Sequence, residues 1–386
     1  MAQIRMVRLG DICKVVSGTT PKTENPDYWD GNLNWITPAE ITDETVVICE
    51  SQRKITQAGV KSCGLSPFPA GTVILSSRAP IGKTAIAGVD MYCNQGFKNL
   101  ICSDLVFNKY LFWFLRSKTD YLNFLGRGAT FKEISKKIVE EIEIPLVSME
   151  QQQSVAAILD KVSAVIALRK QQLAKLDELV KARFVEMFGN PVQLEHRWKI
   201  STFGDEFHIT SGGTPDTKNP AYWEHGTISW IGSNMCQDNI VFQNDGKYIT
   251  TEGLAHSSAK VFESGTVLVA LVGATIGKTA LLRFPTATNQ NVAAIDVNKN
   301  KNFTSEYVYY HLQFLYPKFQ ELGNGTFKMA NQAFIRELLI LCPPHELQVE
   351  FSDFIENSLK LRLTIRQGLD KMETLKRALM QEYFGE

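Results

Sequence analysis

The polar residues of this chain that could do chemistry sit in short, glycine-flanked segments, and the segments come in pairs. Ile81-Gly-Lys-Thr84 and Ile276-Gly-Lys-Thr279 carry the Gly-Lys-Thr ending of a phosphate-binding loop. A complete loop of that kind needs a glycine five residues before its second glycine. Those positions hold Ser77 and Val272. The segments therefore read as tight turns between strands, each with a lysine that can still face a phosphate. The other polar segments are Ser17 to Lys22, Asn94 to Lys98 and Arg127 to Lys132, with their later partners. Their side chains are those that recognise base edges: Arg or Lys for guanine, Asn or Gln for adenine. The candidates in the first half are Ser17, Thr19, Thr20, Lys22, Arg78, Lys83, Asn94, Gln95, Lys98, Arg127, Thr130 and Lys132. In the second half they are Ser211, Thr214, Lys218, Lys278, Asn289, Gln290, Asn291, Asn324, Thr326 and Lys328. Ordinary polar loops are the other reading of any one of them.

Catalytic constellations are hard to build from what remains. Asn25-Pro-Asp-Tyr28 and Asn219-Pro-Ala-Tyr222 resemble the Asn-Pro-Pro-Tyr motif of amino-group DNA methyltransferases, but both lack the second proline. Phe124-Leu-Gly-Arg-Gly128 matches the cofactor loop of that family in letters, yet it follows a helical stretch, Tyr110 to Leu125, where a helix C-cap is expected. A cofactor loop would follow a strand and open a helix. The six histidines, His196, His208, His225, His256, His311 and His345, have no counterpart in the first half. They read as surface or satisfied core residues, because a duplicated catalytic site would keep its base in both copies. Seven scattered cysteines without a C-x-x-C pair read as reduced core thiols, with no metal site. Tyr28-Trp29, Tyr222-Trp223, Trp35 and Trp230 offer ring faces for base stacking or large apolar areas for a core; core anchoring is the favoured reading.

The elements that must position these segments are duplicated too. Ser17-Gly-Thr-Thr-Pro…Tyr28-Trp29…Trp35-Ile36 matches Ser211-Gly-Gly-Thr-Pro…Tyr222-Trp223…Trp230-Ile231. In the same order, Ile55-Thr56 and Gly59 match Ile249-Thr250 and Gly253, and Gly71-Thr-Val73 matches Gly265-Thr-Val267. Asn94-Gln95 matches Asn289-Gln290, Gly126-x-Gly128 with Phe131-Lys132 matches Gly323-x-Gly325 with Phe327-Lys328, and Met187-Phe-Gly189 parallels Tyr383-Phe-Gly385. A period this long means one structural unit written twice. Between the copies some polar positions change: Arg78 faces Val272, Gly96-Phe97-Lys98 faces Asn291-Val292-Ala293, and Arg127 faces Asn324.

Each copy reads as a mixed α/β module followed by a long amphipathic helix. From Glu150 to Phe188 there is no Pro or Gly, and Val155, Ile158, Val162, Val165, Leu173, Leu176, Val180, Phe184 and Met187 follow a coiled-coil seam interrupted by Arg169. Ile355, Leu359, Ile365, Leu369, Met372, Leu375, Leu379 and Tyr383 do the same in the second helix. The expected boundaries are a module over 1–148, a helix over 149–189, a second module over 190–345 and a second helix over 346–386. Two equivalent units related by a pseudo-two-fold axis would lay helices of roughly 50–60 Å antiparallel, with a module at each end. The fold class is thus α+β: two similar modules joined by an antiparallel coiled coil. Lys+Arg and Asp+Glu are each 41, for a net charge of zero. A protein that held nucleic acid by its own charge would be basic. Something else must then supply phosphate binding, or nucleic acid is not the partner. No run is long and apolar enough for a membrane span, and the start lacks a signal-peptide core, so the cytoplasm is expected.

In combination, these features resemble the specificity subunit of type I restriction–modification systems. The Ser-Gly-x-Thr-Pro…Tyr-Trp…Trp-Ile and Gly-x-Gly…Phe-Lys segments carry the resemblance, with the helix-ending Phe-Gly. So do the helix starts Pro145-Leu-Val-Ser-Met-Glu150-Gln-Gln152 and Pro344-His-Glu346-Leu-Gln348. The second start has Leu347 where Gln would be typical. The resemblance implies two target-recognition domains, each reading half of a split, asymmetric double-stranded DNA site, with the helices setting the spacing. It implies no catalysis and no cofactor in this chain. Two methyltransferase subunits using S-adenosylmethionine would dock on the helices and methylate adenine. Motor–nuclease restriction subunits would bring ATP and Mg. The competing readings are a non-catalytic paired-domain scaffold that binds protein, and a solitary methyltransferase.

Overall fold

The computed structural model describes residues 5–126, 132–193, 197–322 and 329–385. It divides into two compact units, residues 1–171 with 365–386, and residues 172–364.

In unit 1 a five-stranded sheet has the order Cys13–Val16, Asn99–Cys102, Val73–Leu75, Thr84–Ala87, Val47–Ile48. Only the last strand is parallel to its neighbour. Val73–Leu75 and Thr84–Ala87 are buried on both faces, because helix Asn108–Ser117 covers one side and a smaller sheet the other. Such strands read as unbroken apolar runs rather than alternating ones. The smaller sheet joins Lys54–Ile55, Trp29–Ile36 and Tyr92–Cys93. A two-stranded ladder, Arg5–Arg8 with Glu143–Leu146, closes the module.

Unit 2 repeats the plan. Its five-stranded sheet runs His208–Ser211, Val292–Asp296, Val267–Ala270, Thr279–Leu282, Asn239–Val241, and its ladder pairs Lys199–Thr202 with Leu339–Cys342. The helix expected from Tyr110 to Leu125 is broken into Asn108–Ser117 and Thr119–Leu125. In unit 2 the break falls between Ser305–Phe314 and Tyr316–Gln320, where Pro317 cannot donate a helix hydrogen bond.

The two long helices span Met149–Phe188 and His345–Phe384. Within each unit they pack side by side in opposite directions. In unit 2 Arg362 pairs with Asp177, and Arg183 with Glu350 at 2.7 Å. In unit 1 Lys170 faces Glu373 at 3.5 Å. Leu176, Val180 and Phe184, with Ile355, Ile365 and Leu369, are buried as the expected seam has them; the first half of the first helix differs, with Ala156, Leu159 and Ile166 buried while Ile158 and Val165 are more than a third exposed. The apolar spacing of this helix fits two overlapping stripes, and the one with Leu159 faces the core. Arg169, the charged interruption, lies over Gly368, where an added Cβ would meet its Nε at 3.8 Å.

Two duplicated side chains fasten each helix. Gln152 is fully buried; its Oε1 accepts from the Phe107 N–H at 2.7 Å, and its Nε2 donates to Leu105 and Val147 carbonyls at 3.0 and 2.9 Å. Gln348 does the same with the Thr304 N–H and the Asn302 and Pro343 carbonyls, all at 3.0 Å. Gln151, by contrast, is exposed and accepts from the Ser148 N–H and hydroxyl at 3.3 Å, whereas Leu347 in its place is half-buried against the unit 2 core. At the other ends, Phe188 packs edge-on against Tyr307, and Phe384 against Tyr110.

Of the cysteines, Cys13, Cys93 and Cys236 are buried as core thiols, but Cys49 is exposed, just beyond the edge strand Val47–Ile48. His208, His225, His256 and His345 are exposed, and His196 lies outside the described residues. His311 is buried in an aromatic core and takes the place that Phe114 holds in unit 1.

Candidate nucleic-acid interface

The polar segments separated in sequence meet at one edge of each module. In unit 1 the Thr19 N–H donates to the Cys93 carbonyl at 3.1 Å, and the Ser77 N–H donates to the Gly96 carbonyl at 2.8 Å. The Ile134 N–H reaches the Ser77 carbonyl at 2.9 Å. Gly18 makes the first approach possible, since a Cβ there would lie 1.7 Å from the Cys93 oxygen. Gly212 has the same role, 2.0 Å from the Thr288 oxygen. Any side chain would push the two loops apart.

Tryptophans pin the first of these loops from below. Trp35 Nε1 donates to the Thr19 carbonyl at 3.1 Å and Trp29 Nε1 to the Lys22 carbonyl at 3.2 Å, and the two rings meet edge-on at 5.0 Å. In unit 2 Trp230 and Trp223 hold the Gly213 and Asp216 carbonyls at 3.0 and 3.1 Å, their rings 5.3 Å apart. These indoles are spent on the frame, as core anchoring requires, with Arg53 stacked over the Trp29 ring at 3.7 Å.

Held this way, each loop presents one matched polar pair. The Thr20 hydroxyl donates to Gln95 Oε1 at 2.6 Å, and the Thr214 hydroxyl to Gln290 Oε1 at 2.7 Å. Both glutamines are exposed. That bond anchors each exposed glutamine to its threonine and leaves the rest of the amide's hydrogen-bonding capacity for other partners. Asn94 and Asn289 shape the turn beneath, accepting from the Gly96 and Asn291 N–H groups at 2.9 and 3.1 Å.

The cations divide differently. Lys22, Lys132 and Lys218 are exposed. Arg78 and Lys98 are both tied to Glu133, at 3.0 and 3.1 Å, and Lys98 is buried. Burial works to raise the Glu133 pKa, but bonds and charges from Lys98 and Arg78 outweigh it and hold the carboxyl below its usual range. By strand register and loop bonding, Val272, Ala293 and Met329 occupy the three equivalent places in unit 2. An ion-paired trio in one copy is thus an apolar trio in the other.

Lys83 donates to the Pro38 carbonyl at 3.2 Å, while Lys278 pairs with Asp238 at 2.5 Å. The hydrogen bond to Asp238 raises its pKa. The Gly-Lys-Thr turns use their N–H groups internally: Gly82 donates to the Ser76 carbonyl at 3.0 Å and Lys83 to the Ser76 hydroxyl at 2.9 Å. They are tight turns, and these amides make no phosphate cradle. Ser17 and Thr19 are exposed, and Ser211 accepts from Gln332 Nε2 at 2.9 Å. Arg127, Thr130, Asn324, Thr326 and Lys328 lie outside the described residues. Among the described residues no cluster of three His, Cys, Asp or Glu side chains could hold a metal, and no helix is long and apolar enough to cross a membrane. Sequence reasoning missed Glu133 and Asp238; their spacing from Lys98 and Lys278 carries no local signal.

Residues 1–178 and 195–372 each match the type I restriction modification DNA specificity domain. The chain is 28% identical over 402 residues to the type I restriction enzyme MjaIX specificity subunit of Methanocaldococcus jannaschii, covering 98% of this chain and 92% of that protein. It is also 28% identical over 177 residues to the EcoR124I/EcoR124II specificity subunit of Escherichia coli, covering 43% of this chain and 40% of the other. In fold it is similar to the S subunit of a type I system from M. genitalium, with a TM-score of 0.61 and 14% identity over 100% of this chain and 98% of that one. A chain from a structural study of type I system assembly and conformational transition has a TM-score of 0.63 at 20% identity, over 98% of this chain and 97% of that one. With two matched stretches that take in nearly the whole repeat, the chain belongs to the type I restriction modification DNA specificity family and carries its domain twice.

Proposed function

We propose that this chain is the non-catalytic DNA-reading subunit of a type I restriction–modification assembly, each module reading one half of a bipartite, asymmetric site. One observation carries the reading: the same frame of tryptophan-pinned loops presents a hydrogen-bonded Thr–Gln pair in both units, while its neighbours differ. A frame that repeats with a changing rim suits two readers of two different sequences. The target-recognition domains are residues 1–148 and 190–345, and the helices 149–189 and 346–386 are the spacers.

Within the interface, Ser17, Thr19, Thr20, Lys22, Asn94, Gln95 and Lys132 face DNA in the first module. Ser211, Thr214, Lys218, Asn289, Gln290 and Asn291 do so in the second. Arg127, Thr130, Asn324, Thr326 and Lys328 complete the set from the sequence alone. Arg78, Lys83, Lys98 and Lys278 contribute once DNA draws them from their protein partners. A net charge of zero leaves many phosphate contacts, the salt-sensitive part of affinity, to partner subunits. Two methyltransferase subunits with S-adenosylmethionine dock on the long helices, where Leu168, Leu179, Leu361 and Leu363 are more than half exposed. Restriction subunits bring ATP and Mg.

The test is a domain exchange. Residues 1–148 are replaced by those of another family member, and methylated sites are read by single-molecule sequencing of host DNA. One half of the methylated sequence should change and the other persist; a change in both halves refutes modular reading.

A further inference from the structure

Unit 1 holds a pair of thiols that DNA reading does not use. Strand Cys13–Val16 runs antiparallel to Asn99–Cys102, and the register sets Cys13 opposite Cys102. The Ser103 N–H donates to the Ile12 carbonyl at 3.0 Å. That bond brackets the two cysteines, so they form a non-hydrogen-bonded pair, the closer kind, with Cα atoms ordinarily about 4.5 Å apart. A disulfide spans Cα separations of about 4.4–6.8 Å, so the backbone needs no rearrangement. Residues directly opposite share a face of the sheet. Both thiols indeed lie against one apolar cluster, Cys13 inside it and Cys102 half-buried at its rim.

A hydrogen bond with Cys102, and then burial, push the Cys13 thiol well above its usual range. Cys102 is the reachable member: it lines a cleft of about 500 Å³ with Ser103, Phe107 and Met149. The equivalent places in unit 2 hold Phe207 and Val297, both buried. The fold therefore asks only for apolar volume there, and packing does not dictate two facing thiols.

We propose that Cys13 and Cys102 form a reversible cross-strand disulfide, a redox modification site confined to the first module, with a low-molecular-weight disulfide as oxidant. The Cys102 thiolate, its proton lost to solvent, attacks one sulfur of the reagent and expels one thiolate. Cys13 passes its proton to that thiolate and attacks the Cys102 sulfur. The second reagent thiolate leaves and is protonated from solvent. Two protein thiols become one disulfide, and one reagent disulfide becomes two thiols. The bond is opened again by the reverse exchange, in which a thiolate from solution attacks Cys102 at its cleft. The strands it ties lead to Ser17 and from Lys98, so oxidation stiffens the base of the Thr20–Gln95 contact in one reader only.

The full chain is incubated with oxidised glutathione, alkylated in denaturant, digested and weighed. Expected are peptides joined through Cys13 and Cys102, released by dithiothreitol. In Cys13→Ser, Cys102 should instead retain glutathione. The proposal is overturned if exposed Cys49 takes glutathione while Cys13 and Cys102 are both alkylated. It is equally overturned if wild-type Cys102 stops at the glutathione adduct with Cys13 free.

Discussion

His311 and Leu341 offer a test of how the two copies were adapted from one plan. The Leu341 N–H donates to His311 Nε2 at 3.3 Å, in a fully buried setting where His311 Nδ1 has no partner. In unit 1 the equivalent residues are Phe114 and Pro145, fixed by the tyrosines whose hydroxyls donate to Pro145 and Leu341 carbonyls at 2.8 Å each. Phenylalanine cannot accept a hydrogen bond, and proline has none to donate. The two positions therefore changed together. His311→Phe alone strands the Leu341 N–H, at a cost of about 1–3 kcal/mol. Leu341→Pro alone strands Nε2 at a similar cost. The double variant restores the unit 1 arrangement and should recover about 1 kcal/mol or more relative to the sum, as read by urea unfolding. Additivity within about 0.5 kcal/mol would refute the compensation.

The same residue sets an acid limit. Burial lowers the His311 pKa from 6.5 to about 3. Between those values the unfolded chain binds the extra proton, so the His311 contribution is level well above pH 6.5 and stability falls as pH drops toward 3. By pH 5 the loss is roughly 2 kcal/mol. His311→Phe should abolish that part of the acid sensitivity, and an unchanged pH slope would show that His311 is not held neutral.

Other substitutions probe the interface and the helix anchors. Gln152→Leu removes three hydrogen bonds at the helix start and should cost at least about 2 kcal/mol, whereas Gln151→Leu, which gives up only exposed bonds from Ser148, should cost less than about 1 kcal/mol by denaturant unfolding. Gln95→Ala and Gln290→Ala should each loosen methylation specificity in one half-site; unchanged sequence logos would make the glutamines structural. Thr20→Val frees the Gln95 amide to rotate and should produce a weaker form of the Gln95→Ala effect. Lengthening both long helices by a heptad, about 10 Å, should widen the unread gap by roughly 3 base pairs, and an unaltered gap would mean that the helices do not set it.

Much of this was legible in the sequence because duplication acts as an internal control. Gly18 and Gly212, the four tryptophans and Gln152 with Gln348 recur because each makes a contact that no other side chain could make as well. Helix type and length followed from long apolar periodicity without Pro or Gly. Only in the first half of the first helix was the seam not legible, because Ile158 and Val165 keep the spacing as well as Leu159 and Ile166 do; which stripe turns inward depends on the neighbouring core. Nor was the break after Ser117, which no residue there enforces as Pro317 does in unit 2. Partners distant in sequence, such as Glu133 for Lys98, leave no pattern at all.

That last gap changes how differences between the copies are to be read. Arg78 against Val272 and Lys98 against Ala293 look in sequence like two readers tuned to different bases. In the structure Glu133 against Met329 changes with them, and the three substitutions together exchange an ion-paired cluster for an apolar one. Each state is self-consistent without DNA, and breaking either by one residue leaves a charge or a donor without its partner. Packing accounts for Val272 and Ala293, which meet the core of unit 2, but not for Met329, which is left 68% exposed. Gly96 against Asn291 also has a changed neighbour: a Cβ at Gly96 would lie 3.2 Å from Pro38 Cγ, and Ser233 opens the matching turn in unit 2, while the Asn94 and Asn289 bonds are the same. A difference without a compensating neighbour is the stronger mark of a residue that faces something outside the protein. By that criterion Met329, 68% exposed where Glu133 is ion-paired, is the position of this set whose substitution tests for a contact outside the protein.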